Sequence, residues 1–289
     1  MTQGRVTILA RRKVGAISQD NEQERSEVIK LKQRLGVRIG LVIPALNEEE
    51  ALPLVLEELP TGAVDRIVVC DNGSTDRTAE FARLAGAEVV YEAKRGYGQA
   101  CLTALAELLG SSASDPLGDS DLIVFLDADH SDYPADLPQL IAPLLREEVD
   151  LVIGSRVRGG ATMDALLPQA WFGNRLACGL MRLLFGAHYS DLGPFRAIRV
   201  DALRHLDMRD VDFGWTVEMQ LKAKVFGLRV TEVPVRYRAR IGTSKITGTV
   251  MGTIRAGTKI LGWIFGWRLK LWLTRRKNPM FQRVERSAR

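Results

Sequence analysis

The sequence predicts an α/β protein whose core is a mostly parallel sheet flanked by helices. Three observations predict it. Short apolar runs recur through the first 155 residues, each is followed by a segment of helical length, and polar clusters stand directly after three of the runs. Strands that are apolar on both faces belong to parallel sheets covered on both sides.

Residues 1–37 are polar and charged, with a possible helix over Glu22–Leu35, and read as an N-terminal extension without catalytic signal. The first strand runs from Arg38 to Pro44 and leads into a helix over Glu48–Leu59. Asp65–Asp71 repeats the pattern, with a helix over about Asp76–Ala85; Ala87–Tyr91 is a third strand and Gly98–Leu109 a third helix. A Ser/Gly/Asp/Pro loop, GSSASDPLGDSD, separates that helix from a fourth strand over Asp121–Asp127, and Val149–Ser155 is the fifth. Beyond residue 155 the alternation breaks down. Gly159–Gln169 reads as a loop, Asn174–Phe185 as a helix and Arg229–Tyr237 as a late strand. The first half is expected to hold a nucleotide and the second an acceptor, so that residues 38–249 form the catalytic domain and 250–289 a basic, amphipathic helical segment.

Composition excludes several classes. With 46% hydrophobic and 26% charged residues, the 289-residue chain can bury a sizeable core and is not disordered as a whole. The net charge of +5 suits phosphates, nucleic acid or an anionic membrane alike. The cations are dispersed among acids without a nucleic-acid recognition motif, so no nucleic-acid partner is expected. Cys70, Cys101 and Cys178 form no CxxC pair, and His130, His188 and His205 no metal-binding spacing; the cysteines read as buried small hydrophobes in a reducing compartment. The apolar stretch Val6–Leu9 is too short for a signal peptide, and no uncharged run reaches the ~18 residues of a membrane span. A cytoplasmic protein with at most peripheral membrane contact is expected.

In open parallel sheets, ligands bind beyond the carboxyl ends of the strands. Three strands end there in polar clusters: Pro44-Ala-Leu-Asn-Glu48, Asp71-Asn-Gly-Ser-Thr-Asp76 and Asp127-Ala-Asp129. Singly, each has an ordinary explanation. Asp is common in loops, Asp71-Asn-Gly is a good turn, Ser74 or Thr75 could cap a helix, and Glu48 could favour a helix dipole. Together, carboxylates at three strand ends repel unless something cationic lies between them, and Mg²⁺ or Mn²⁺ carrying a diphosphate is such a partner.

The motifs PALNEEE, CDNGSTDRT, KRGYGQA, DADHSDYP, GSR, SDLGPFRAIR and GTSK, in this order over residues 38–250, resemble the family-2 inverting glycosyltransferases with a GT-A fold. The nearest branch is the dolichyl- and polyprenyl-phosphate sugar synthases. The resemblance implies that Pro44, Leu46 and Glu48 line a nucleoside pocket with Asp71 on the base or ribose, and that Gly96–Gln99 lie beside the nucleotide. It implies that Asp127 and Asp129 hold a divalent metal and the donor diphosphate. Arg156 matches an arginine that meets the acceptor phosphate, and Arg240 and Lys245 would fold over the donor phosphates. Three positions depart from the family pattern: Asn72 replaces the second Asp of a pair, Ser131 replaces a Gln two residues past the DxD, and Gly193-Pro194 replaces Gly-Ser. Glu218 falls where the family keeps an acid, and reads as a structural partner for Arg196 or Arg240 or as a base.

A phosphate acceptor is already nucleophilic at neutral pH, so the implied reaction needs charge neutralisation and in-line positioning more than a base. A nucleotide-sugar donor (UDP- or GDP-linked) and a lipid phosphate acceptor are the expected partners; a soluble small-molecule acceptor and an inert nucleotide-sugar binder are the alternatives. Over Thr253–Leu273, apolar residues at helical spacing with Trp263, Trp267 and Trp272, next to Arg275, Arg276 and Lys277, suit a helix at a membrane interface; a helix docked on the catalytic domain, or a dimer contact, is the other reading.

Overall fold

A computed structural model describes residues 22–111, 113–161, 168–242 and 250–277. Lys245 and the basic residues past Lys277 lie outside the described residues.

A seven-stranded sheet in the order β3-β2-β1-β4-β6-β5-β7 forms the centre. Its strands are β1 (Ile39–Ala45), β2 (Arg66–Asp71), β3 (Glu88–Tyr91), β4 (Leu122–Phe125), β5 (Leu151–Ser155), β6 (Arg196–Arg199) and β7 (Val230–Pro234). The helices are α1 (residues 22–35), α2 (Leu52–Glu57), α3 (Thr78–Leu84), α4 (Tyr97–Leu109), α5 (Leu137–Leu145), α6 (Pro168–Phe185), α7 (Val200–Leu206), α8 (Trp215–Phe226) and α9 (Val250–Lys277).

The apolar runs become strands because both of their faces are covered. Alternate residues of β1 face opposite layers: Ile39, Leu41 and Ile43 pack with Leu52, Val55, Leu140 and Ile141, whereas Val42 packs with Ala104, Leu108 and Phe125. Helix α1 joins the first layer through buried Val28, and its Lys32 is buried against Asp65 at 2.6 Å. A third apolar cluster joins α6, α8 and α9 through Ala177, Met181, Val217, Ile264 and Trp267.

The parallel part of the sheet matches the sequence expectation. β6 does not: it runs antiparallel to both neighbours, inserted between β4 and β5 with Arg196 opposite both Phe125 and Ile153. The short run Arg-Ala-Ile-Arg, with a charge at each end, carries too little apolar pattern to be seen in advance. Helices α5 and α7 are likewise additions. The late strand is shorter than expected, ending at Pro234. No helix among the described residues is long and apolar enough to cross a membrane.

Candidate active site

Register builds the site. Ala45 pairs with Asp71, and Val42 with Phe125, so β2, β1 and β4 end side by side, with Asp127 at about the level of Pro44. At this edge lies a cleft of about 250 Å³. Pro44, Ala45, Leu46 and Glu48 form one wall; Arg95, Gly96 and Tyr97 another; Asp127, Ala128 and Asp129 the floor; Asp212, Phe213 and Arg240 close it from the second half of the chain. Arg240 was expected over the strand ends, but Asp212 and Phe213 were not; they reach the cleft because the loop before α8 folds back over the strand ends.

The backbone is bent into unusual conformations where the cleft begins. Asn47, two residues past β1, and His130, five residues past β4, have positive φ (53° and 62°), and such strain in non-glycine residues gathers at functional edges. Gly96 has φ 154°, and a side chain on Gly96 or Gly98 would overlap the carbonyl oxygens of Val211 and Asp210 respectively. Only glycine lets the start of α4 lie against the 210–213 segment, which it joins through Gly98 N–H to Asp212 O (3.2 Å) and Gln99 N–H to Val211 O (2.9 Å).

The two DxD carboxylates are both in the cleft. Asp127 accepts a hydrogen bond from the Tyr97 hydroxyl at 2.9 Å. Burial raises its pKa above the ordinary carboxylate value, against the pull of Tyr97, Arg240 and Arg156, and nearby Glu48 adds to the rise. Asp129 is 3% exposed; its Oδ1 accepts from the backbone N–H and hydroxyl of Ser131 (3.0 and 2.6 Å), and its Oδ2 pairs with the Arg240 guanidinium. Ser131 therefore braces Asp129. Arg238 anchors the segment carrying Arg240, donating to His130 O at 2.6 Å and Glu58 at 2.7 Å.

These acids fit a hard divalent cation on the chemistry of the donor set: two carboxylates two residues apart, crowded in a partly buried cleft, one already matched by a guanidinium. Among the described residues no group of three or more His, Cys, Asp or Glu could hold a metal ion. Phosphate and water oxygens would have to complete the shell.

Other expected residues sit elsewhere. Asp71 is buried at the end of β2, its Oδ1 accepting from Ser74 N–H at 2.8 Å, and it does not line the cleft. Its neighbour Asn72 does. The Asn72 amide donates to Glu92 O and Lys94 O (both 2.9 Å) and accepts from Gly96 N–H (2.8 Å), which a carboxylate could not do. That accounts for the departure from the Asp-Asp pair. Gln99 turns aside to Glu92 at 2.9 Å. Glu218 is buried and accepts from the backbone N–H of Arg209 and Asp210 and from Lys222 (2.6 Å). The partners foreseen for it were Arg196 and Arg240, but Arg196 donates to the carbonyls of Leu192, Gly193 and Thr216.

Arg156, just past β5, lies outside the cleft and is 13% exposed. It grips Asp191 through its backbone N–H, Nε (2.8 Å) and Nη2 (2.7 Å), above the Tyr237 ring. Antiparallel β6 explains the meeting: its entry, not its exit, lies at the edge where β4 and β5 end, which brings Asp191 there. Asp132 completes this group. It is 2% exposed, and neither carboxylate oxygen has a hydrogen-bond partner among the described residues. Burial pushes its pKa up to about 8, with Asp127 adding and Arg156 opposing. Asp191 and Phe213 had no assigned role in the sequence, and Tyr97 was placed beside the nucleotide without its bond to Asp127; Asp191 stood in a quoted motif, but its partner is 35 residues away.

Comparison with known proteins agrees with this geometry. Residues 41–207, more than half of the chain, match the model of glycosyl transferase family 2. An uncharacterised glycosyltransferase of Mycobacterium bovis is 36% identical over 225 residues, covering 76% of this chain and 95% of that one. The undecaprenyl-phosphate mannosyltransferase of Micrococcus luteus is 31% identical over 232 residues, covering 75% and 90%. Among solved structures, glucosyl-3-phosphoglycerate synthase of Mycobacterium tuberculosis, in complex with Mn²⁺, UDP and glucosyl-3-phosphoglycerate, superposes with a TM-score of 0.62 at 25% identity, covering 83% and 84%. The parallel strand-end cleft, its paired carboxylates and these matches have one reading: the chain is a glycosyltransferase with the GT-A fold and belongs to glycosyl transferase family 2.

Proposed function

We propose that the protein transfers a hexosyl group from a UDP- or GDP-linked sugar to a polyprenyl phosphate, with inversion and with a divalent metal, while bound to the surface of a membrane. The observation that carries the reading is the pairing of two cationic groups with acids at one sheet edge. Arg240 lies on Asp129 in the cleft, and Arg156 lies with Asp191 beside it.

Asp127 and Asp129 would hold the metal, which when bound neutralises the donor diphosphate and so favours its departure. Tyr97 orients Asp127 by its hydroxyl, and Ser131 fixes the rotamer of Asp129. Arg240, released from Asp129, can follow the leaving group's charge; Lys245 would act beside it. Pro44, Leu46 and Phe213 offer apolar surface to the nucleoside, and Gly96 allows the backbone to approach it closely. Arg156 would bind the acceptor phosphate through a charge-assisted contact, drawing on the same guanidinium that now holds Asp191.

The lipid acceptor draws support from the Micrococcus luteus relative, which acts on undecaprenyl phosphate. Exposed apolar residues also line two packed helices, Phe172 (64%), Leu176 and Leu183 (80%) on α6, with Phe265, Leu269, Trp272 and Leu273 on α9. Arg175 lies against Trp171 at the head of α6. Apolar stripes with adjoining cations suit an anionic bilayer. A second reading, a soluble phosphate-bearing acceptor, is favoured by the solved neighbour's glucosyl-3-phosphoglycerate.

The test is thermal protection by UDP- and GDP-sugars with Mn²⁺, followed by transfer to a polyprenyl phosphate and to phosphoglycerate. Protection by one nucleotide-sugar in wild type, and its loss in Asp129→Asn with an unchanged melting curve, is expected. Full activity in excess EDTA would refute the metal role, and transfer to phosphoglycerate alone would favour the second reading.

A further inference from the structure

Trp263 and Trp267 of helix α9 face the protein, whereas Trp272 is exposed. Trp267 is 9% exposed and packs in the apolar cluster with α6 and α8, and Trp263 packs against the same cluster. The inward positions Ala256, Ile260, Ile264, Trp267 and Leu271 recur at helical spacing. The Trp263 indole N–H donates to Asp210 Oδ2 at 2.5 Å, and Lys259 Nζ lies 3.3 Å from the same carboxylate, which is 1% exposed.

Asp210 is the hub of a short segment. Its Oδ1 accepts from the backbone N–H of Asp212 (2.7 Å) and Gly214 (3.0 Å), and its own N–H donates to Glu218 at 2.7 Å. The next residues, Asp212 and Phe213, are the far wall of the donor cleft, and the same segment is hydrogen-bonded to the start of α4 beside Gly96. One buried carboxylate thus ties the tail helix to the cleft wall. Gly214 shows how close the fit is: a Cβ there would overlap both the Trp263 indole nitrogen and Asp210 Oδ2, though its φ of −82° is open to any residue.

We propose that Trp263 and Asp210 are positioning residues for the donor: α9, through the indole–carboxylate bond, sets the 210–213 segment so that Phe213 and Asp212 meet the nucleotide. A buried carboxylate without its indole and ammonium partners is left to be compensated within the loop alone, which releases the loop from its one conformation. The tail helix is then part of the donor site, and residues 250–289 cannot be removed without loss of nucleotide binding. This inference rests on the cleft being the donor site and adds to that reading how its second wall is held.

The test is nucleotide titration of the full-length protein with UDP and with GDP in the presence of Mn²⁺. Trp263→Phe keeps the ring in the apolar cluster and removes only the donor N–H. It is expected to weaken binding of the nucleotide roughly fivefold or more, the lower range of coupling between linked groups, and to raise the donor KM by a similar factor. The acceptor KM should not move. Gly214→Ala, which displaces the same indole, should reproduce the effect. Melting curves separate this from a packing role: variants that melt lower but, where folded, bind nucleotide as the wild type does would overturn the proposal. So would a rise in acceptor KM with donor KM unchanged. If the wild type binds neither nucleotide, the donor-site reading itself fails and this inference with it; if the wild type binds and both variants bind equally well, only the inference fails.

Discussion

Asp132 offers a test that depends only on burial and charge. Its carboxyl is enclosed by Asp127, Asp136 and Asp191, with Arg156 as the nearby cation. The two oxygens have no hydrogen-bond partner among the described residues. The native value of about 8 stands about four pH units above the ordinary carboxylate value. Between pH 4 and 8 the unfolded chain has released this proton and the native chain has kept it, so stability falls as pH rises, by about 1.4 kcal/mol per unit. The ceiling is ~5 kcal/mol at pH 8 against ~1.5 kcal/mol at pH 5, and water entry and relaxation reduce the difference to about 2 kcal/mol. Asp132→Asn is neutral throughout and similar in shape. It is therefore expected to match the wild type near pH 4 and to gain on it by about 2 kcal/mol between pH 5 and pH 8, or several degrees in Tm. Urea denaturation of both proteins at pH 5 and pH 8, in EDTA so that no metal contributes, measures the difference directly. Equal stabilities at pH 8, or a variant weaker at both pH values, would refute the reading of Asp132 as a buried carboxyl without a partner.

Two further outcomes follow from the site and the surface. Arg156→Ala should raise the KM for a phosphate acceptor or lower kcat, through loss of a charge-assisted contact of about 1.5–3 kcal/mol, while nucleotide binding holds; loss of nucleotide binding with normal acceptor kinetics would assign Arg156 to the donor. The intact protein should co-sediment with anionic vesicles, less so at high salt, and Phe172→Glu with Leu183→Glu should weaken that binding while leaving UDP or GDP binding intact; unaltered co-sedimentation would remove α6 from the membrane-facing surface.

Much of the catalytic half was legible because its signals are local. A parallel strand buried on both faces must be apolar throughout, so β1, β2, β4 and β5 stand out as runs, and the polar residues that end them fall at one edge by topology. Asp127, Asp129 and Glu48 are in the cleft for that reason. Asp71 was placed on the base or ribose by the family resemblance. In the structure its Oδ1 accepts from Ser74 N–H, and it is the adjacent Asn72 that lines the cleft. One residue along a strand reverses the side-chain direction, and the sequence pattern does not resolve a choice that fine.

The amino-acid order by itself determined the α/β class, the strand-end chemistry and the family resemblance, since these depend on residues close together along the chain. Only the tertiary structure decided the rest. That β6 runs antiparallel, bringing Asp191 onto Arg156, depends on a four-residue strand with little pattern of its own. That Asp210 and Trp263 meet depends on two helices finding a shared apolar cluster across 53 residues. Amphipathic spacing states that a helix has an apolar face, and is silent on whether that face meets lipid or protein. For α9 the inward face went to protein, because α6 and α8 left an apolar surface that the indoles could cover while one of them supplied a buried carboxylate with a donor.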